Sequence, residues 1–202
     1  NFLEIISKGK FFIITILSTT SLQTADLLIG NIFLNKSEIS LYGIALILAE
    51  IPLSIPYAHV KSIFKEFVNQ KIKKSILKYS LISIVFPLLM IILINVFPSI
   101  LYYSFPKYDT LQLKNILSIL LIYSLGRSAN LYVQTYLKLN GSEKIISISA
   151  LTSAILNIFL NIILIPKYGL FIMPYITVFS EIILICVQFT LQYAKKTHII
   201  SS

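Results

Sequence analysis

The feature that most constrains this sequence is a series of six apolar stretches, each about 20 residues or longer, separated by short polar turns. A helix of about 20 apolar residues crosses the roughly 30 Å hydrocarbon core of a bilayer. The stretches lie at about 11–34, 41–60, 79–105, 113–137, 145–165 and 170–193. The sequence therefore predicts an all-α, polytopic membrane protein whose six transmembrane helices form one bundle.

Composition excludes a soluble domain. Of the 202 residues, 56% are hydrophobic and only 12% are charged, whereas soluble proteins carry about 25% charged residues. A core of this size could not bury so much apolar surface. The net charge of +9 would suggest nucleic acid in a soluble protein, but the lysines here cluster between apolar stretches. We expect them to report membrane topology and predict no nucleic-acid partner.

The distribution of basic residues predicts the orientation. With six crossings, one side of the membrane receives Lys8, Lys10, Lys61, Lys65, Lys71, Lys73, Lys74, Lys78, Lys138, Lys144, Lys195 and Lys196. The other side receives only Lys36, Lys107, Lys114 and Lys167. Because cytoplasmic loops carry the excess of Lys and Arg, both ends of the chain are predicted to be cytoplasmic. The basic segment 61–78 is read as a helix lying on the inner leaflet or as a solvated loop.

Several local signals predict where helices end or bend. Asn140-Gly141 favours a turn with a positive φ, and Pro166 followed by Gly169 predicts the end of one helix and a reversal. Three prolines, Pro52, Pro56 and Pro174, are expected to kink their helices and free carbonyl groups. The single cysteine, Cys186, lies in an apolar run and is expected to be a small buried residue.

Polar side chains recur at intervals of three, four or seven residues in five of the six stretches, which places them on one face of each helix. The third stretch has almost none and is expected at the periphery. Because charged and amide groups are costly in lipid, such faces turn toward a bundle interior or a wet cavity. We therefore expect a substrate cavity lined by Gln23, Asp26, Glu50, Tyr123, Arg127, Asn130, Gln134, Asn157, Asn161 and Glu181.

Alternative roles exist for these groups. The stripe Ser149, Ser153, Asn157 and Asn161 also suits helix–helix packing, in which small residues allow close approach and amides bridge helices. Arg127, the only arginine in the chain, could form a structural ion pair with Asp26, Glu50 or Glu181. A paired arginine still has spare donors for a phosphate. Glu50 and Glu181 could also relay protons or bind a coupling cation.

The sequence has no motif for a cofactor or a metal. It lacks the G-x-x-x-x-G-K-[ST] loop of P-loop ATPases, the H-E-x-x-H pair and any cysteine cluster. We predict a protein that is not an enzyme and that needs no cofactor.

Two segments resemble motifs of a known family. The run Asn157-x-x-x-Asn161-x-x-Leu164-Ile165-Pro166-x-Tyr168-Gly169, preceded by the turn Gly141–Lys144, resembles a signature of polysaccharide exporters and O-antigen flippases. Near the other end, the segments 26–30 (DLLIG) and 38–45 (EISLYGIA) resemble a motif that follows the seventh helix of that family. One departure is the sequence 170–174 (LFIMP), where the family has a Gly-Ala-Ala run that packs more closely.

The resemblance implies that residues 1–202 form a single domain, namely helices seven to twelve of a transporter like the multidrug and toxin extrusion (MATE) proteins. The opening residue Asn1 fits such a C-terminal half. Its partners would be the N-terminal half, membrane lipids and polysaccharide assembly proteins. It would reside in the bacterial cytoplasmic (inner) membrane. There it would translocate an undecaprenyl-pyrophosphate-linked oligosaccharide for O-antigen, capsule or exopolysaccharide synthesis by alternating access, with Arg127 binding the pyrophosphate.

Two other functions are weighed against flipping. A cation-coupled exporter of drugs or organic cations would use the same fold, with Asp26 and Glu50 binding the coupling cation. A membrane polysaccharide polymerase or ligase would need a large external loop with catalytic groups, and the outer loops here are very short.

Overall fold

The chain folds into nine α-helices over the residues described. The computed structural model describes the backbone of residues 2–68 and 76–200 and the side chains of 9–62 and 78–195, and no strand occurs in those ranges. The helices are α1 (Phe2–Phe33), α2 (Lys36–Glu50), α3 (Ser54–Val68), α4 (Ile76–Ser83), α5 (Val85–Val96), α6 (Ser99–Ser104), α7 (Thr110–Leu139), α8 (Glu143–Tyr168) and α9 (Met173–Ile200). Short 3₁₀ turns at Ile51–Leu53 and Gly169–Ile172 join α2 to α3 and α8 to α9.

Five helical stretches of the described chain are long and apolar enough to cross a membrane. They are Gly9–Phe33, Lys36–Ser62, Lys78–Val96, Thr110–Leu139 and Glu143–Lys195. The outer surface of the bundle is correspondingly apolar, with Leu28, Ile32 and Phe159 each more than half exposed. Lipid is the solvent in which such a surface is stable. The all-α class and the membrane-embedded character predicted from the sequence are confirmed.

Helix α7 lies at the centre of the bundle. Asp109 caps its N-terminus by accepting hydrogen bonds from the backbone N–H groups of Leu111 and Gln112, which satisfies donors that the first turn leaves free. Along its length α7 packs against α2, α3, α4, α5 and α9. A run of fully buried leucines and isoleucines in its first half, including Leu117 and Leu121, packs against α2 and the start of α9. Residues further along α7 are therefore held inside the bundle.

Helix α1 lies against α8, and α8 against α9. A β-carbon at Gly30 would lie 2.7 Å from Cδ1 of Ile39 and 2.9 Å from Cε of Met173. Glycine thus permits the close approach of α1 to α2 and α9 at this point. This packing buries the polar face of α1 near its C-terminal end.

The second and third stretches are interrupted helices; the irregularity at Pro52 agrees with the kink expected there, whereas the interruption of the predicted span 79–105 at Ile84 was not expected. The second breaks at Pro52, which has no backbone N–H to donate, and Ser124 Oγ of α7 donates to the carbonyl oxygen of Ala49 at 2.5 Å. The third stretch consists of α4, α5 and α6, separated at Ile84 and at Phe97-Pro98. Residues 105–109 form the turn before α7.

Three further local predictions were wrong. Pro166 does not end its helix, because α8 continues to Tyr168. A proline removes only one hydrogen bond near a helix end, and the N–H of Gly169 still bonds the carbonyl of Ile165. Pro174 causes no kink because it lies in the first turn of α9. Cys186 is exposed on the outer face rather than buried.

The turn predictions were confirmed, since Gly141 and Gly169 have φ values of 61° and 64°. For segment 61–78, α3 extends to Val68 and α4 begins at Ile76. The side chains that would form the apolar face predicted for this segment lie outside the described ranges.

Candidate functional site

The polar faces of five helices meet inside the bundle in two clusters. The first surrounds Asp26 of α1, which is 1% exposed. Its Oδ2 accepts hydrogen bonds from the Tyr42 hydroxyl at 2.8 Å and the Thr177 hydroxyl at 2.5 Å. Its Oδ1 accepts from Asn161 Nδ2 at 2.6 Å. The carboxylate therefore joins four helices, α1, α2, α8 and α9, and forms no ion pair within the described residues.

A chain of hydrogen bonds extends this cluster along the contact of α8 and α9. Asn161 Nδ2 also donates to Asn157 Oδ1 at 3.0 Å, and Asn157 Nδ2 donates to Ser180 Oγ at 3.2 Å. One turn away, Ser153 Oγ donates to the carbonyl oxygen of Ser180 at 2.6 Å. These bonds favour the packing interpretation of the Ser/Asn stripe, in which amides and hydroxyls bridge helices.

The second cluster surrounds Arg127 of α7. Its Nη1 lies 3.6 Å from Glu181 Oε2 of α9, and both side chains are more than nine-tenths buried. Glu181 Oε1 accepts from Asn130 Nδ2 at 3.3 Å. Among the three carboxylates considered, Glu181 is thus the ion-pair partner of Arg127. Two buried atoms here, Arg127 Nε and Asn130 Oδ1, have no hydrogen-bond partner among the described residues.

Arg127 forms the inner end of a cavity of about 410 Å³, which we call the Arg127 cavity. Lys138 lines the same cavity eleven residues later on α7, about 16 Å along the helix axis. Lys138 and Glu143 are exposed and mark the mouth, whereas Gln134 lies between mouth and end. The full lining is Phe12, Thr15, Ile16, Thr19, Tyr57, Arg127, Leu131, Gln134, Lys138, Glu143 and Ile146.

Beyond Arg127 the interior narrows to a space of about 10 Å³. This is about the volume that a single water molecule requires. Its walls come from α1, α7, α8 and α9 and consist of Thr19, Leu22, Gln23, Tyr123, Arg127, Asn157, Thr177, Ser180 and Glu181. Arg127 therefore sits where the wide cavity meets the narrow space that leads toward the Asp26 cluster.

The ten residues predicted to line one substrate cavity lie in three places. Arg127 and Gln134 line the Arg127 cavity. Gln23, Tyr123, Asn157 and Glu181 line the narrow space, which Arg127 also borders. Asp26, Glu50, Asn130 and Asn161 line neither of these two spaces. Asp26, Asn130 and Asn161 are instead hydrogen-bonded to neighbouring helices, and the substrate-lining role of all ten residues stays a prediction.

Sequence reasoning missed Lys138 as a cavity residue. The sequence contains the helical spacing that reveals it. Steps of four, three and four residues lead along one face of α7 through Arg127, Leu131, Gln134 and Lys138. In the sequence, Lys138 was used only as one of the basic residues that predict the membrane orientation. The apolar wall residues Phe12 and Ile16 carried no signal, since lipid-facing residues of α1 look the same in sequence.

The described residues contain no group of three or more His, Cys, Asp or Glu side chains that could hold a metal ion. No family model, no curated protein and no solved structure matches this chain. Its function is therefore argued from the geometry of the two clusters and the cavity.

Proposed function

We propose that this chain is a six-helix unit of a transporter that flips a polyprenyl-diphosphate-linked oligosaccharide across the bacterial cytoplasmic membrane. The observation that carries the proposal is Arg127, a buried guanidinium with an unpartnered Nε, at the inner end of a cavity of about 410 Å³. Arginine presents a planar fork of donors that matches phosphate oxygens. In this account the Arg127 cavity binds the diphosphate.

The proposal counts six crossings because the fifth apolar stretch is long enough for two. Its 53 residues would extend about 80 Å as one straight helix, more than twice the hydrocarbon thickness. The stretch is interrupted at Gly169, and α8 packs against α9. We take these as two crossings, which makes the unit comparable with one half of a MATE-like transporter. The mouth of the Arg127 cavity then lies on the lysine-rich, cytoplasmic side.

The composition of the cavity suits an amphipathic anion. Two cations, Arg127 and Lys138, and one carboxylate, Glu143, line it, so positive charge is in excess. Gln134 and the threonines offer hydrogen bonds to sugar hydroxyls, and Phe12 and Ile16 form an apolar wall. A volume of about 410 Å³ lies in the range of about 300–1,000 Å³ usual for small-molecule sites. It accommodates a diphosphate and the first sugar rather than a whole oligosaccharide.

Gene deletion in the native host tests the proposal. We expect surface polysaccharide to disappear while the lipid-linked repeat unit accumulates in the inner leaflet, because the diphosphate and sugars cannot cross hydrocarbon unaided. Re-expression of the intact protein should restore the surface polymer. An unchanged surface polysaccharide and no accumulation of the lipid-linked unit would contradict flipping.

One observation favours a second function, the cation-coupled export of drugs or organic cations. Asp26 is buried among hydroxyl and amide groups without a cationic partner in the described part of the chain. Oxygen-rich sites of this kind suit a hard cation. Drug sensitivity of the deletion strain, with normal surface polysaccharide, would favour this function over flipping.

A further inference from the structure

The Arg127–Glu181 ion pair is loosely made. The separation of 3.6 Å between Nη1 and Oε2 exceeds the 2.7–3.2 Å of an N–H···O hydrogen bond. Nε is buried without a partner. A guanidinium in this state can form shorter, bidentate bonds with a phosphate that enters the cavity. An anionic ligand is therefore expected to compete with Glu181 for Arg127.

Loss of Arg127 would leave Glu181 as an uncompensated buried charge. Glu181 is 5% exposed, and an isolated carboxylate in such a place is costly enough that it takes up a proton instead. Charge counting gives the same result. The ion pair alone is neutral, whereas a diphosphate diester brings two negative charges, which Arg127 and Lys138 together balance only if Glu181 is protonated.

Asn130 is placed to receive the protonated carboxyl group. Its Nδ2 already donates to Glu181 Oε1 at 3.3 Å, and its Oδ1 is buried without a partner. A carboxylic acid and a primary amide can exchange two hydrogen bonds. A proton on Oε2 would donate to Asn130 Oδ1 and would satisfy an acceptor that the ionised form leaves empty.

Other titratable groups surround this pair. Tyr123 of α7 and Tyr57 of α3 lie within electrostatic range of Arg127, as does Glu50 of α2. To the lining of the narrow space beside Glu181, α8 contributes the amide of Asn157 and α1 contributes Thr19, Leu22 and Gln23, and none of these four side chains titrates. Asp26 lies beyond Thr177 and is held by its own three donors. Arg127 pairs with Glu181 and not with Glu50, so Glu181, which is 5% exposed, is the carboxylate that loses its counter-charge when a ligand takes Arg127.

We propose that binding of an anion in the Arg127 cavity takes Arg127 from Glu181 and that Glu181 Oε2 then takes up one proton from solution, held by Asn130. The inference rests on the proposed function and adds to it a stoichiometric link between substrate and proton. Release of the anion restores the ion pair and expels the proton through the cavity.

Calorimetric titration of the purified intact protein in nanodiscs tests the link. The probe is farnesyl-diphospho-N-acetylglucosamine, whose phosphates are both diesters and do not titrate between pH 5.5 and 8.5. Comparing buffers of different ionisation enthalpy gives the protons taken up per ligand. At pH 7.5 we expect the uptake of close to one proton per ligand bound. The Kd should rise about tenfold per pH unit above neutrality. Glu181→Gln should abolish the uptake and bind on the order of tenfold more tightly at pH 8.

Two further variants separate the possible outcomes. Glu143→Gln removes a carboxylate from the mouth of the same cavity and should keep the proton uptake. Asn130→Leu removes the amide that receives the proton and should weaken binding at pH 6 far more than at pH 8. Binding by the wild type without proton uptake would overturn this inference and leave the proposed function intact. No binding of the probe at any pH would overturn both.

Discussion

Substitution of Arg127 by alanine is expected to abolish surface polysaccharide in the native host. Among the described residues, Arg127 is the cation at the inner end of the Arg127 cavity, and truncating one partner of a buried charge pair costs about 2–5 kcal/mol. That cost corresponds to a loss of about 30-fold to 5,000-fold in binding of the diphosphate. Surface polymer and the inner-leaflet pool of lipid-linked repeat unit are the quantities to measure.

A loss of folding could imitate this result, because Arg127→Ala leaves Glu181 buried and unpaired at a cost of about 3–5 kcal/mol. The double variant Arg127→Leu/Glu181→Leu replaces the pair by apolar side chains and should restore the protein level without restoring polysaccharide. Lys107→Ala, in the exposed turn before α7, is the matched control and should be silent. Normal polysaccharide in the double variant would remove Arg127 from the account.

Substitution of Asp26 by leucine is expected to produce the largest loss of stability. Three donors, from Tyr42, Thr177 and Asn161, converge on this carboxylate. Each buried donor left without an acceptor costs about 1–3 kcal/mol, so we expect the free energy of unfolding to fall by about 3–9 kcal/mol. Thermal unfolding of the purified protein in detergent measures the change.

The control for Asp26 lies on the same helix. Thr24 is exposed on α1, and its hydroxyl bonds only the carbonyl oxygen of Thr20, so Thr24→Leu should change stability by less than about 0.5 kcal/mol. Asp26→Asn keeps one acceptor oxygen, so its loss of stability should lie between those of Asp26→Leu and Thr24→Leu. A leucine variant as stable as the wild type would show that the cluster does not hold the four helices together.

The helices and their buried faces could be predicted from the sequence for a simple physical reason. Lipid forces long apolar stretches, and any polar group within them must turn inward. That reasoning placed Arg127, Asn130, Glu181 and Asn157 inside the bundle, where all are less than one-tenth exposed. It also placed Gln23 on an inward face, although this side chain is exposed at the edge of the narrow space.

The spacing of polar residues along a helix could not predict which neighbouring helix its polar face contacts. The four-residue steps of α8 give its buried side but do not tell that Asn157 bonds Ser180 of α9 rather than a substrate. The proline itself signalled the break at Pro52. The sequence did not show that Ser124 of another helix donates a hydrogen bond to the carbonyl oxygen of Ala49 beside this break. Such outcomes depend on tertiary contacts between residues far apart in the chain.

If the Arg127 cavity receives a diphosphate from the inner leaflet, it must hold water and open to the cytoplasm. This requirement is tested most directly by labelling Gln134→Cys, in a Cys186→Ser background, with a small charged thiol reagent added from the cytoplasmic side. The thiolate is the reactive species and does not form in hydrocarbon, so Phe159→Cys on the lipid-facing side of α8 is the inert reference. We expect rapid labelling at position 134, and we expect the farnesyl-diphospho-sugar to slow it. A folded Gln134→Cys protein that reacts no faster than Phe159→Cys would contradict this expectation.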